Sequence, residues 1–205
     1  MADAKPETKP KKTHQERMAR KKQVIDERIA KATEERGVLI LLKGNGKGKS
    51  SSAFGTMARC VGHGQKAAVI QFIKGRTETG EFKLFKDHPQ IDWHVMGHGF
   101  TWETQDKTQD IAAAEKAWAQ AEQLLQDDSL DMLVFDEMAY MFKYRYLELE
   151  PVLKALQNRP KNQHVIITGR VMPEGLLEIA DTISDIRDER HAFRLGVKAQ
   201  AGIEF

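Results

Sequence analysis

Lys43-Gly44-Asn45-Gly46-Lys47-Gly48-Lys49-Ser50 has the residue types that hold a polyphosphate. Its three glycines let backbone N–H groups turn onto one concave face, and a helix starting behind them adds about half a positive charge. In such a loop Lys49 meets phosphate oxygens, Lys47 adds a second cation, and Ser50 offers its hydroxyl to a divalent metal. The usual spacing is G-x-x-x-x-G-K-[ST]; here Lys43 stands at the first glycine position and Gly44 comes one residue late. A pair of acids, Asp136-Glu137, closes the apolar run Met132-Leu133-Val134-Phe135. An apolar strand ending in a carboxylate is how nucleotide-binding sheets direct an acid to the metal of bound phosphates, so Glu137, and after it Asp136, is a candidate ligand. Gly169-Arg170 ends a third apolar run, which puts Arg170 within reach of phosphate.

These groups need elements to position them. Val38–Leu42, Ala67–Phe72, Ile91–Met96, Met132–Phe135, His164–Thr168 and Thr182–Ile186 read as six short strands. Between them, Ala53, Phe54, Met57, Ala58 and Val61 make one apolar face of a helix ending at Gly62. Further helices are expected over Gly80–Asp87, with Phe82, Leu84 and Phe85 covering one side of the sheet, and over Gln109–Gln126, Pro151–Asn158 and Pro173–Ala180. Strand and helix alternating at this period predict an α/β fold: a mostly parallel sheet of about six strands with helices on both faces. The loop, Asp136-Glu137 and Gly169-Arg170 then share the edge formed by the strands' C-terminal ends, where such sheets bind ligands.

At 205 residues the chain is one domain with appendages. Residues 37–205 are the expected nucleotide-binding domain. Thr13-His14-Gln15-Glu16 has capping-box spacing and predicts a helix running to about Arg36 and stopping at Gly37, so 13–36 is a separate N-terminal helix. Its stripe of Met18, Ile25, Ile29 and Ala32 is too narrow for a core helix and suits an active-site lid. Residues 1–12, with Lys9-Pro10-Lys11-Lys12, read as a disordered basic tail: Met1–Lys22 has eight basic and three acidic residues in a chain of net charge +2. No interleaved aromatics support a nucleic-acid surface. The single cysteine, Cys60, reads as a packed small hydrophobe and excludes an intrachain disulfide; with no membrane-length apolar run, the cytoplasm is the expected compartment. His94 and His98 lack metal-site spacing.

One segment breaks the strand-helix rhythm: Gly97-His98-Gly99-Phe100-Thr101-Trp102 puts two large aromatics in a glycine-flanked loop, either as a core plug or as a ligand surface. With this segment, Gly44–Ser50, Arg59-Cys60-Val61-Gly62-His63-Gly64, Gln71-Phe72-Ile73-Lys74-Gly75, Asp136-Glu137 and Val165–Arg170, the chain resembles the ATP:corrinoid adenosyltransferases from Glu35 to Phe205. The resemblance implies a RecA-like P-loop fold, a homodimer, and transfer of the 5′-deoxyadenosyl group of ATP to the Co(I) of a corrinoid with release of triphosphate. It gives the off-register loop a sense, ATP being held so that C5′ rather than the γ-phosphorus faces the second substrate. It implies ATP contacts at Asn45 and Arg59, corrinoid contacts at Phe100 and Trp102, and a reduced flavodoxin-type electron donor; Ser51 is counted with the ATP contacts, and Mg²⁺ or Mn²⁺ is expected near Ser50 and Glu137, with Asp136 as the second carboxylate. Ser50-Ser51 departs from the family's commoner double threonine but keeps the hydroxyl. The rivals are an ordinary P-loop ATPase or kinase acting at the γ-phosphate, and a nucleotide-gated corrinoid carrier without chemistry.

Overall fold

The structure, a computed structural model, describes residues 13–73, 78–96 and 107–205. It divides into two compact units, Met1–Glu35 and Arg36–Phe205. In the first, helix α1 (His14–Lys31) starts at the capping box: the Glu16 N–H donates to Thr13 Oγ1, and the Thr13 N–H donates to the Glu16 carboxylate. None of its residues is buried, and Met18, Ile25 and Ile29 are exposed along it. The helix ends five residues before the expected Arg36. Gly37 has another use: it is the second residue of the second unit, its N–H bonds the Lys161 carbonyl at 2.8 Å, and a Cβ there would overlap the Gln163 carbonyl. It is a close-approach glycine, a role no local pattern distinguishes from a helix stop.

The second unit is a six-stranded, all-parallel sheet. Its strands are β1 (Leu39–Lys43), β2 (Ala67–Gln71), β3 (Ile91–Val95), β4 (Met132–Asp136), β5 (His164–Thr168) and β6 (Thr182–Asp185), in the order β3-β2-β4-β5-β1-β6. Alternate residues of β1, β2, β4 and β5 enter opposite cores, as the two-residue period requires. Leu39, Leu41, Ile70, Phe135 and Ile167 pack on one face with α4 (Lys107–Leu125), α6 (Leu149–Gln157) and α7 (Glu174–Ile179). Leu42, Val69, Val134 and Ile166 pack on the other against Ala53, Phe54, Met57 and Cys60 of α2 (Lys49–Gly62). Burial pushes the Cys60 thiol up to about 11, so it stays a neutral packing group.

Two α-helices of the second unit differ from expectation. Helix α3 (Gly80–Phe85) turns Phe82 toward Trp93, with ring centroids 5.9 Å apart, but leaves Leu84 71% exposed at the sheet's ligand edge instead of covering the sheet. A short helix that the pattern did not predict, α5 (Ala139–Lys143), follows β4 directly. Gly169 lets it approach: a Cβ there would overlap that of Ala139. The outgoing connection of β1 crosses two strands to reach β2, while β6 lies on its other side, so the loop after β1 opens where the strand order changes direction.

Candidate nucleotide-binding site

The loop between β1 and α2 is tied to the strand ends on both sides. The Gly44 N–H donates to the Arg170 carbonyl (3.1 Å) and the Gly46 N–H to the Ile186 carbonyl (2.7 Å). Gly44 and Gly48 have φ of +112° and +117°, and a Cβ on Gly44 or Gly46 would overlap the Ile186 or Arg187 carbonyl. Two of the loop amides expected to form a phosphate nest are therefore used to fix the loop itself. Lys43, at the displaced glycine position, closes β1 with its ammonium 3.6 Å from Asp185 of β6. Lys49 is 9% exposed and donates to the Gly46 carbonyl at 2.8 Å. Burial pulls its pKa below the usual lysine value, with the Glu137 charge opposing that shift.

Three strands end in a polar row against this loop. Gln71, Asp136 and Thr168 close β2, β4 and β5, with Gln71 paired to Asp136 in the sheet register. Asp136 is 5% exposed and accepts from Thr168 Oγ1 (2.8 Å), from Gln71 Nε2 (3.4 Å) and from the Ser50 hydroxyl. Burial raises its pKa, while those bonds favour the charged form. Gln71 is itself oriented by Trp93, whose indole N–H donates to its carbonyl oxygen at 3.1 Å. The Thr168 hydroxyl also accepts the Glu137 N–H at 2.8 Å, holding Glu137 at φ +57°, a conformation a glutamate rarely adopts. The Glu137 Oε2 atom is buried without a hydrogen-bond partner, and burial, then the charge of Asp136, pushes the carboxyl up to about 7.

One cavity of about 560 Å³ brings most of the sequence-derived residues together: Asn45 through Ser51, Asp136, Glu137 and Arg170 all line it. Gly44 lies just behind, at the root of the loop. Arg59 is not among the lining residues. It is exposed on the last turn of α2, ten residues beyond Lys49, about 15 Å along a helix axis. Phe100 and Trp102 lie outside the described residues. Two kinds of residue escaped the sequence reading. Thr168 and Gln71 close apolar runs, and a polar residue ending neighbouring strands at one edge is a readable signal. The C-terminal residues Gly202–Phe205 also line the cavity, and Glu204 Oε2 lies 2.8 Å from the Lys47 ammonium. No local pattern marks them.

Residues 35–205 match the family model "ATP:corrinoid adenosyltransferase BtuR/CobO/CobP", and residues 6–29 match "Cob(I)alamin adenosyltransferase N terminal". The chain is 54% identical over 193 residues to the corrinoid adenosyltransferase of Pseudomonas aeruginosa, covering 94% of this chain and 95% of that protein. It is 50% identical to that of Escherichia coli K12 and 49% identical to corrinoid adenosyltransferase CobA of Salmonella typhimurium, each match covering 94% of this chain and 97% of the relative.

Proposed function

The chain belongs to the ATP:corrinoid adenosyltransferase family, and from that premise we propose which of its residues carry the transfer. Its reaction is the ATP-dependent adenosylation of a corrinoid. Reduced cobalt, as substrate, attacks C5′ of ATP; the cobalt–carbon bond forms as the C5′–O bond breaks, and the electron pair leaves with triphosphate. Co(I) is nucleophilic without help, so no general base is required of the protein. The protein aligns C5′ and stabilises the charge that grows on the leaving group. Lys49 and Lys47 are assigned to that charge, each charge-assisted bond contributing on the order of 1.5–3 kcal/mol. Asn45, Ser51 and Arg170 are assigned to the nucleotide from the same cavity wall. The exposed position of Arg59 offers no support from within this chain for a contact there.

The observation that carries the reading is the orphaned Glu137 oxygen in the cavity that holds Lys49. With Asp136 and the Ser50 hydroxyl it makes an all-oxygen donor set that fits Mg²⁺ or Mn²⁺. Among the described residues no group of three or more His, Cys, Asp or Glu could hold a metal, so the ion proposed here would draw its remaining ligands from substrate phosphates and water. When bound, such an ion supplies charge neutralisation at the triphosphate. Phe100 and Trp102 are proposed as the corrinoid contacts, a reduced flavodoxin-type protein as electron donor, a homodimer as the assembly and the cytoplasm as the compartment; the family resemblance supports each. Among the described residues no helix is long and apolar enough to cross a membrane.

Incubation with ATP, Mg²⁺ and chemically reduced corrinoid should yield triphosphate and a cobalt–carbon bond. ADP or free phosphate would instead identify hydrolysis at the γ-phosphorus, and unchanged ATP a carrier. The N-terminal helix is proposed as a lid over the corrinoid. Its deletion should end at Glu35, because Arg36 pairs with Asp181 at 2.6 Å in the second unit. The shortened chain should bind ATP and transfer poorly; full activity would show the helix to be dispensable.

A further inference from the structure

The two lysines of the phosphate loop are held in different ways. Lys49 is buried and bonded to the loop's own Gly46 carbonyl. Lys47 is exposed, and its ammonium is paired at 2.8 Å with Glu204, a residue 157 positions away in the chain. Glu204 is presented by a small self-closed turn: its N–H donates to the Gln200 carbonyl (2.8 Å), and Gly202, at φ +79°, donates to the Phe205 carbonyl (2.7 Å). That turn is not anchored in the core, since residues 201–204 are exposed and Ile203 is 62% exposed. The pair can therefore be given up without unpacking the fold.

We propose that Glu204 is a displaceable internal anion, a carboxylate that occupies Lys47 while the loop is empty and yields it to triphosphate oxygens when the loop is filled. The proposal rests on the reading of this loop as a triphosphate site. A carboxylate and a phosphate oxygen make the same kind of charge-assisted bond to an ammonium, so each substitutes for the other at Lys47. Triphosphate carries more charge than one carboxylate and can also reach Lys49 and the remaining loop amides, so it takes Lys47 on entry. Position favours this exchange. Ile203 and Glu204, with Asn45, Arg170 and His191, line both the 560 Å³ cavity and a second cavity of about 660 Å³ behind the tail. These shared residues make the two cavities neighbours, with Glu204 at their boundary. Because ATP and the product triphosphate present the same phosphates to the loop, competition from Glu204 weakens both by a similar factor. A product that would otherwise stay bound on Lys47 is thus met by a resident competitor as it dissociates.

The test is calorimetric titration of inorganic triphosphate into the full chain without corrinoid, with the KM for ATP measured in parallel. Glu204→Gln keeps shape and removes charge at an exposed position, and far-UV circular dichroism checks that it folds. It should tighten triphosphate about two- to fivefold, the range of an exposed ion pair, and lower the ATP KM by a similar factor. Glu204→Asp should fall between Gln and the wild type. In a Lys47→Ala background the Glu204→Gln change should have no further effect, a result that a merely structural tail contact would not produce. Unchanged or weaker triphosphate binding by Glu204→Gln overturns the proposal, as does a gain that persists without Lys47. Triphosphate that binds neither the wild type nor the variant removes the loop reading and this proposal with it.

Discussion

Carboxylates flank the phosphate loop on two sides under opposite physical conditions. On the β4–β5 side, Asp136 and Glu137 sit among strand ends; Asp136 is 5% exposed, and burial raises the pKa of both. On the β6 side, Asp185 meets Lys43 at 3.6 Å with its side chain 42% exposed, and Glu204 meets Lys47 with its side chain 31% exposed. The chemical groups are the same and the difference is solvent. Water screens the outer pairs, which become weak and exchangeable, while the inner carboxylates carry a desolvation cost that hydrogen bonds offset only in part and that protonation or a cation relieves. A loop proposed to grip a polyanion and then release it has its strong electrostatics on one side and its replaceable ones on the other.

The largest effect should come from the buried side. Lys49→Ala should lower kcat at least about 100-fold if, as proposed, its charge acts mainly as triphosphate departs. The thermal midpoint should barely move, since a desolvated ammonium is removed along with its cost. A kcat within threefold of wild type would end the assignment. Glu137→Gln should raise the Mg²⁺ concentration needed for half-maximal rate about tenfold, as one proposed ligand of a sparse oxygen set loses its charge. An unmoved Mg²⁺ titration would remove Glu137 from the metal site.

Glu137 also makes the contrast visible in stability. Its carboxyl is raised from 4.5 to about 7, so the folded state holds a proton that the unfolded chain has already lost. That contribution is fully present below about pH 4.5 and is lost as pH rises through about 7. Denaturant unfolding without nucleotide or divalent ions should therefore show wild-type stability falling, relative to Glu137→Gln, by on the order of 2–3 kcal/mol across this window. Parallel curves would show that the carboxyl ionises freely.

Thr168→Val removes one hydroxyl that serves both acids, leaving Asp136 Oδ1 short of a donor and the Glu137 N–H short of an acceptor. Unfolding should cost about 1–3 kcal/mol less, with Glu137 no longer held in its left-handed conformation and activity reduced accordingly. The smallest effect belongs to the outer side: Asp185→Asn should change stability by less than about 1 kcal/mol, and by less still in high salt. A loss as large as that of Thr168→Val would erase the distinction between the two sides.

Much of this was legible in the chain itself, for a local reason. β1, β2, β4 and β5 are runs of apolar residues buried on both faces, and a strand buried on both faces needs no long-range information to be recognised. The loop glycines, Lys49 and Asp136-Glu137 declare themselves because their chemistry depends on spacing along the backbone. Tertiary structure alone decided what depends on residues distant in sequence. It made Gly37 a point of close approach to Gln163, placed Thr168 between two acids more than thirty residues earlier, and set Glu204 on Lys47. It also distinguished chemically similar groups: burial makes Glu137 a carboxyl that titrates near neutrality, and exposure leaves Glu204 a replaceable partner, because the free energy of a charge is set by the solvent it has lost.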